Sequence, residues 1–590
     1  MTPGAPSPAG AASPTRAAAH HLRTRLDAVR PRSHDLRAMV RTPRRDVLAG
    51  VTVGVVALPL ALAFGIASGL GATAGLVTAV VAGVVAAVFG GSHVQVSGPT
   101  GAMTVVLVPI VATHGPDGVL VVGLMAGLVL VAMGLAGAGR YVRFIPLPVI
   151  EGFTLGIAAL IALQQVPAAL GLDGRHEHVV ASAAAAVLEW LSDPQPAPLA
   201  VSVGVGVAIL VLSRLRPAVP VALLAVVVAT VAVRLAHLPV TTIGTLPDRL
   251  FTASLPSVAW GDLRVLAVPA VAVAALAALE SLLSATVADA MSVSSRHDPD
   301  RELFGQGLAN LASPLLGGIP ATAAIARTAV NVRSGARSRL AAVVHSLVLL
   351  VVVLALADVV AWIPLAALAG VLIATAVRMV EVSSLRALAR ASRSDAFVLA
   401  LTFLATVVLD LATAVVLGIV TAGGLALRQL ARTTALHEED LGRTRRGGTG
   451  ADDHGAEDHG TEEGALLHER VVAYRLEGPL FFGGAHAALL ELTEVSDVRV
   501  VILRMSHVTT LDATGAAVLA DTIRSLQARG VTVLLSGVPQ RFVPRLAATG
   551  IHQHLTELHH VFDSTPEAIA HARRHVARDE HHDRGVRPGA

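Results

Sequence analysis

Apolar runs of roughly 17–25 residues recur from Asp46 to Leu430 and constrain the fold more than any other feature of the chain. At about 1.5 Å of rise per residue, each run is long enough to cross a hydrocarbon core about 30 Å thick as a helix. About fourteen runs are distinguishable, beginning near Val47, Ala72, Gly98, Gly118, Pro148, Leu199, Pro217, Leu266, Phe304, Pro320, Leu340, Pro364, Asp395 and Ala412. With 54% hydrophobic residues, 15% charged residues and a mean hydropathy of +0.67, the chain lies outside the soluble globular range. The predicted fold class is a polytopic α-helical membrane protein of about 14 spans with its partner the lipid bilayer. Aromatics are only 3% of the chain, so Ala, Val, Leu and Gly must do the packing, and small residues let such helices approach closely.

The placement of arginine orients the spans. Cytoplasmic loops hold the excess of cations, and with the N-terminus inside, the even-numbered gaps carry Arg140 and Arg143, Arg214 and Arg216, Arg296 and Arg301, Arg333, Arg337 and Arg339, then Arg378, Arg386, Arg390 and Arg393. The outward loops hold little beyond Arg175, Arg249 and Arg264. Both termini are therefore expected in the cytoplasm and the chain in the plasma membrane. Residues 1–45 have no apolar core that a cleaved signal needs and read as a disordered tail. The formal charge of +3 gives no reason to expect nucleic acid as a partner, and the absence of cysteine excludes disulfides and thiolate metal sites.

Two of the runs are interrupted at their starts. Ser97-Gly98-Pro99-Thr100-Gly101-Ala102 opens one much as Gly317-Gly318-Ile319-Pro320-Ala321-Thr322 opens another, with Pro99 and Pro320 separated by 221 positions. The same offset carries Pro59 of the first run onto Glu280. Two halves of seven spans each follow, and because seven is odd their orientations are opposite. Paired, Gly/Pro-interrupted segments in an inverted 7+7 repeat point to a transporter whose site lies at the midplane between two half-helices. Helix N-termini attract anions. Thr100 supplies a hydroxyl at one start, the N–H groups of Ala324, Ile325 and Ala326 face it from the other, and Arg327 adds a charge two turns beyond Pro320. An oxyanion between the two ends is the expected substrate.

Glu280 sits in VPAVAVAALAALESLLSATVADAM, where a carboxylate costs on the order of 3 kcal/mol, so its presence calls for a function. Ser284, one turn on, shares its face and completes a candidate site for a coupling proton or sodium ion. A second role is structural, as an ion pair with Arg327 that ties two helices. No nucleophile–base pair or metal cluster occurs in the spans, so an enzyme, a cofactor and catalytic or metal-binding residues are not expected.

After the spans the composition changes. Residues 436–466 are charged and Gly-rich; His454, His459, Asp452, Asp453, Asp458 and Glu462 offer metal-type side chains, but a solvated linker accounts for them. A compact α/β domain is expected over 467–575: strands at Val471–Leu476, Val498–Arg504 and Val531–Ser536, and helices at Ala485–Val495, from Asp512 to Arg529 and at Arg541–Thr549. Such a small domain suits regulation or assembly, and residues 576–590, with His581 and His582, are expected to be a disordered tail.

The motifs VALPLALAFGIASG from Val56, SGPTGAM from Ser97, VIEGFTLGIA from Val149, ESLLSATVAD from Glu280 and GGIPATAAIARTAVNVRSGA from Gly317 resemble those of the SulP anion permeases, and 467–572 resembles their STAS domain. The resemblance implies core and gate domains that move as an elevator, commonly in a homodimer. It places the anion at Phe64, Thr100, Gly101, Ala324, Ile325, Ala326 and Arg327, and the coupling ion at Glu280 and Ser284. Leu60 stands where many relatives carry Gln, and Glu280 replaces the Asp of the sodium-dependent bicarbonate type; both count against sodium–bicarbonate transport, and Glu280 with Arg327 fits the proton-coupled members better. Proton-coupled uptake of sulfate or a related oxyanion is the expectation, with sodium-coupled bicarbonate or proton-coupled dicarboxylate transport as alternatives. An anion-sensing scaffold that signals through the STAS domain is an alternative of another class. Asp512-Ala513-Thr514-Gly515 resembles the loop of anti-sigma-factor antagonists; Ala513 occupies the phosphoacceptor position, which leaves Thr514 as the remaining hydroxyl.

Overall fold

A computed structural model describes residues 33–173, 178–216, 219–247, 250–253, 262–292, 296–409, 411–439, 470–485, 489 and 498–585. The chain forms two compact units, Met1–Val420 and Thr421–Ala590.

Among its described residues the first unit is helical except for two short strands, β1 Ser97–Gly98 and β2 Thr322–Ala323. Nine of the described helices are long and apolar enough to cross a membrane, and Val179–Ser192 and Val221–Leu235 are shorter apolar helices. Length and hydropathy thus give nine crossings among the described residues, against the about fourteen expected. The predicted runs at Gly98 and Gly118 are joined in one helix, Gly101–Ala136, broken at Gly115. There φ is +62° and ψ −164°, a conformation that glycine alone adopts readily, and Pro116 follows. The run at Phe304 becomes Pro299–Leu315, and the run at Pro320 becomes a nine-residue half-helix, Ile325–Arg333, preceded by extended chain.

Small residues set the closest approach. Where Pro43–Ala67 crosses Gly71–Phe89, a Cβ on Gly75 would collide with the Ala61 carbonyl oxygen, and one on Gly65 would lie 2.5 Å from the Gly71 carbonyl oxygen. The cost of glycine in a helix is offset by contact that no larger residue permits. Outer helices differ: Val203, Val207, Val211 and Leu212 of Pro196–Leu215 are exposed, as a lipid-facing surface requires.

The N-terminal region is ordered earlier than residue 46. Ser33–Arg41 is a helix, and its buried Asp35 reaches Nη2 of Arg301 at 2.7 Å. Asp46 accepts hydrogen bonds from the Arg337 and Ser338 N–H groups at 2.7 and 3.1 Å and from the Ser338 hydroxyl at 2.7 Å. These carboxylates satisfy groups far along the chain, a pairing that local composition does not reveal.

The second unit carries a five-stranded sheet formed, in spatial order, by β3 Ala435–Glu439, β4 Val471–Leu480, β5 Val500–Leu511, β6 Thr532–Ser536 and β7 Val561–Phe562. β3 is antiparallel to β4 and the remaining pairs are parallel. Helix Ala513–Ala528 covers one face through Leu519, Ile523 and Leu526, and Thr565–Gly585 covers the other through Ala568, Ala572 and Val576. With both faces covered, β5 and β6 each carry an unbroken apolar run, 500–503 and 533–535, whose side chains alternate between the two cores. The Asp512 carboxylate caps the first of these helices by accepting from the Gly515 N–H at 2.6 Å.

Three boundaries move. Residues 436–439 are strand rather than linker, and the final helix continues to Gly585 in place of the disordered tail expected from 576. The helix expected over Arg541–Thr549 is a 3-10 turn, Gln540–Phe542, running into Val543–Ala548. Residues 440–469, which include the six metal-type side chains named above, and most of the expected 485–495 helix lie outside the described residues.

Candidate functional site

The two interrupted helices meet through their extended starts. β1 and β2 pair antiparallel, Ser97 against Ala323 and Gly98 against Thr322. Non-helical backbone inside a membrane bundle must find hydrogen-bond partners within the protein, and neighbouring helices supply them. The Asn310 side chain accepts from the Ala321 N–H and donates to the Ala321 carbonyl oxygen, both at 2.8 Å. Thr78 Oγ1 accepts from the Ile319 N–H at 2.7 Å, and the Ser313 hydroxyl donates to the Ile319 carbonyl oxygen at 2.8 Å. Ser281 Oγ accepts from the Ala323 N–H at 3.2 Å.

Around this crossing the predicted residues assemble. The Thr100 hydroxyl, at the N-cap of Gly101–Ala136, donates to Glu280 Oε2 at 2.9 Å. The Thr322 hydroxyl, from the opposite start, donates to the same oxygen at 2.7 Å. One carboxylate oxygen therefore bridges both half-helix starts. Glu280 is partly buried, whereas Arg327 is 2% exposed. Arg327 Nη2 donates to the Pro99 carbonyl oxygen at 3.0 Å, so the cation of one half-helix is tied to the start of the other. A Cβ on Gly98 would lie 2.5 Å from Arg327 Nη1, which explains glycine at that point of closest approach.

Glu280 and Arg327 do not form the ion pair considered from the sequence; among the described residues no bridge within 4.0 Å joins them, and each holds partners on the extended chain instead. Ser284 is fully buried and donates to Thr328 Oγ1 at 3.1 Å, an oxygen that also accepts from the Val96 N–H at 3.2 Å. Its hydroxyl thus fastens the Arg327 half-helix, one turn away from the carboxylate. Ala324 is set apart from the other expected anion contacts, because its N–H is spent on the Val96 carbonyl oxygen at 3.1 Å. Ile325 and Ala326 occupy the exposed first turn, where helix geometry leaves N–H groups without an internal acceptor. Phe64 and Gly101 adjoin: a Cβ on Gly101 would lie 3.2 Å from Phe64 Cε1 and would clash with Ile161 Cδ1.

Sequence reading missed Thr322, the second hydroxyl on Glu280, and the buried stripe Glu302, Gln306, Asn310. The stripe has a signal: the three stand at i, i+4, i+8 and so share one face of a helix. Glu302 Oε2 accepts from the Gly91 and Ser92 N–H groups at 2.8 and 3.1 Å, and Gln306 Nε2 donates to Ser97 Oγ at 2.5 Å. A cavity of about 450 Å³, lined by Ile66, Ser68, Gln164, Gln165 and Asp173 among others, touches none of the crossing residues.

This is a multi-span membrane protein with a STAS domain, organised around an intramembrane carboxylate and arginine where two broken helices meet. The sulfate permease family model matches residues 44–402 and the STAS domain model residues 465–568. A Bacillus subtilis protein named "Putative sulfate transporter YvdB" is 36% identical over 535 residues, 89% of this chain and 97% of that one. The bicarbonate transporter BicA of Synechocystis is 32% identical over 82% of this chain and 86% of its own. Among solved structures, the transmembrane domain of a cyanobacterial BicA aligns with a TM-score of 0.60 at 34% identity, over 64% of this chain and 98% of that one. Murine solute carrier 26 family member A9 aligns over 96% of both chains with a TM-score of 0.77, at 17% identity a likeness of fold alone. The chain belongs to the sulfate permease family of anion transporters.

Proposed function

We propose that the protein is a secondary active transporter that takes up sulfate or a related oxyanion together with a proton. The observation that carries this reading is the single Glu280 oxygen bonded to Thr100 and Thr322. While Glu280 is ionised, both hydroxyls are committed to it and its charge repels an anion. A proton on Glu280 removes that charge and lets the carboxyl donate, so that the hydroxyl protons turn to an oxyanion at the exposed turn of Ile325 and Ala326. Arg327 supplies the fixed positive charge, and Phe64 and Gly101 the adjoining wall. Proton and anion then bind as a pair, which is what symport requires.

Elevator movement of a core against a gate, a homodimeric assembly, the plasma membrane as location and cytoplasmic termini complete the proposal. Arginine-rich even-numbered gaps support the orientation. A second reading, sodium-coupled transport of bicarbonate, is favoured by the likeness to BicA; Glu280 with Ser284 would then serve the cation, although the Ser284 hydroxyl faces Thr328. Dicarboxylate uptake fits the same charge pattern.

The test is uptake of radiolabelled sulfate and bicarbonate into proteoliposomes, with an inward proton gradient or an inward sodium gradient imposed separately. Sulfate uptake that follows the proton gradient supports the reading. Bicarbonate uptake that follows sodium replaces it with the second, and anion binding without flux of any substrate points to a sensor.

A further inference from the structure

A cluster of three imidazoles lies on the STAS unit. His560 precedes β7 and is fixed from both sides, its N–H donating to the Leu555 carbonyl oxygen and its own carbonyl oxygen accepting from the Leu535 N–H, both at 2.8 Å. His571 and His575 stand one turn apart on Thr565–Gly585 and so project from the same face. The neighbouring Ala568, Ala572 and Val576 are packed into the sheet core, which fixes the rotation of that helix and presents both imidazoles to His560. The ring centroids are 5.7, 5.6 and 5.1 Å apart, and one nitrogen from each ring falls within 4.8 Å of the other two.

We propose that His560, His571 and His575 form a binding site for a divalent metal ion of the zinc class. Three imidazoles around a tetrahedral ion, at Zn–N bonds of about 2.0–2.1 Å, place their ring centroids on the order of 5 Å apart and their ligating nitrogens on the order of 3.4 Å apart. The centroids already meet that spacing, so rotation of the rings closes the nitrogens without moving the backbone. A second observation is independent of the cluster: His560 is 8% exposed, yet its Nδ1 has no hydrogen-bond partner among the described residues. A buried polar atom without a partner is costly, and a metal ion would satisfy it. Phe562, 5.1 Å from the His571 ring, supplies an apolar wall.

Three nitrogen donors with no carboxylate or thiolate among them select a borderline ion such as Zn²⁺, Co²⁺ or Ni²⁺ and disfavour Ca²⁺ and Mg²⁺. Three protein ligands leave a fourth position for water or for a further donor. Occupancy would clamp the last helix to the β7 edge of the sheet, so the ion would act on the order of the STAS unit.

The test uses the full chain in detergent, without a polyhistidine tag and stripped of metal by chelation, titrated with ZnCl₂ by calorimetry and with CoCl₂ by visible absorption. One tight site per chain and the d–d bands of tetrahedral cobalt are expected. His571→Gln and His575→Gln, both at partly exposed positions, should each weaken binding by about tenfold or more, while His454→Ala with His459→Ala in the linker leaves it unchanged. Absence of stoichiometric binding, octahedral cobalt spectra, or a site that survives both helix variants and vanishes with the linker pair would overturn the proposal.

Discussion

The helices that meet at the crossing and those at the periphery of the membrane unit are built from the same few residue types, yet they do different work. Gly71–Phe89, which lends Thr78 to the crossing, is largely buried and packs its neighbours through glycine. Pro196–Leu215 is mostly unburied and turns Val203, Val207 and Val211 outward. Polar side chains follow the same division: Thr78, Gln306, Asn310, Ser281 and Arg327 are buried around the extended chain. Apolar residues alone suffice against lipid, but broken helices need a polar shell, and that shell is what makes room for an ionised site. Polarity inside this bundle is thus first a solution to unsatisfied backbone, and the proposed anion site draws on the same shell.

The largest expected effect is at the site. Arg327→Ala should lower anion uptake about a hundredfold, equivalent to the ~3 kcal/mol that a buried charge-assisted hydrogen bond can carry; initial rates in proteoliposomes check it, and unchanged uptake would dissolve the distinction between crossing and scaffold. Next, Asn310→Leu strips partners from both backbone groups of Ala321 and should destabilise the membrane unit by about 2–4 kcal/mol, read from thermal unfolding in detergent.

The STAS unit gives a pH test in metal-free protein. Burial first, then the neighbouring His575 and His571, hold His560 down to about 4 from 6.5. The unfolded chain therefore binds the proton more readily between those values, so stability is full above about 6.5 and declines as pH falls toward 4. Thermal unfolding of the STAS transition at pH 7 and pH 5 should show the loss, and His560→Asn should flatten the profile. The smallest effect belongs to the periphery: Val207→Ala, on the exposed face, should change stability by no more than about 0.5 kcal/mol in the same assay that reports Asn310→Leu.

Much of this arrangement is legible in the sequence, for identifiable reasons. Span-length apolar runs, the two Gly-Pro interruptions and a lone mid-span glutamate are rare enough to stand out, and they locate Thr100, Glu280 and Arg327. Strands and helices of the STAS unit follow from alternation of apolar runs and turns. Partner choice is less legible. Thr322 looks like any small residue until β2 pairs with β1, and Ala324 is a free donor until Val96 claims its N–H. Asp35 sits in a polar, Arg-rich segment, and only its burial against Arg301 shows that the helix is anchored. β3, ALHEE, ends in polar and charged residues and is made into a strand by the neighbouring β4 rather than by its own propensity.

The most direct measurement of proton coupling at Glu280 is sulfate uptake by wild-type and Glu280→Gln proteoliposomes as the inward proton gradient is raised. Wild-type uptake should climb with the gradient and Glu280→Gln uptake should ignore it, because Gln cannot exchange a proton yet keeps an oxygen for Thr100 and Thr322. Gradient-driven uptake that persists in Glu280→Gln would place the coupling proton elsewhere and contradict a coupling role for this carboxylate.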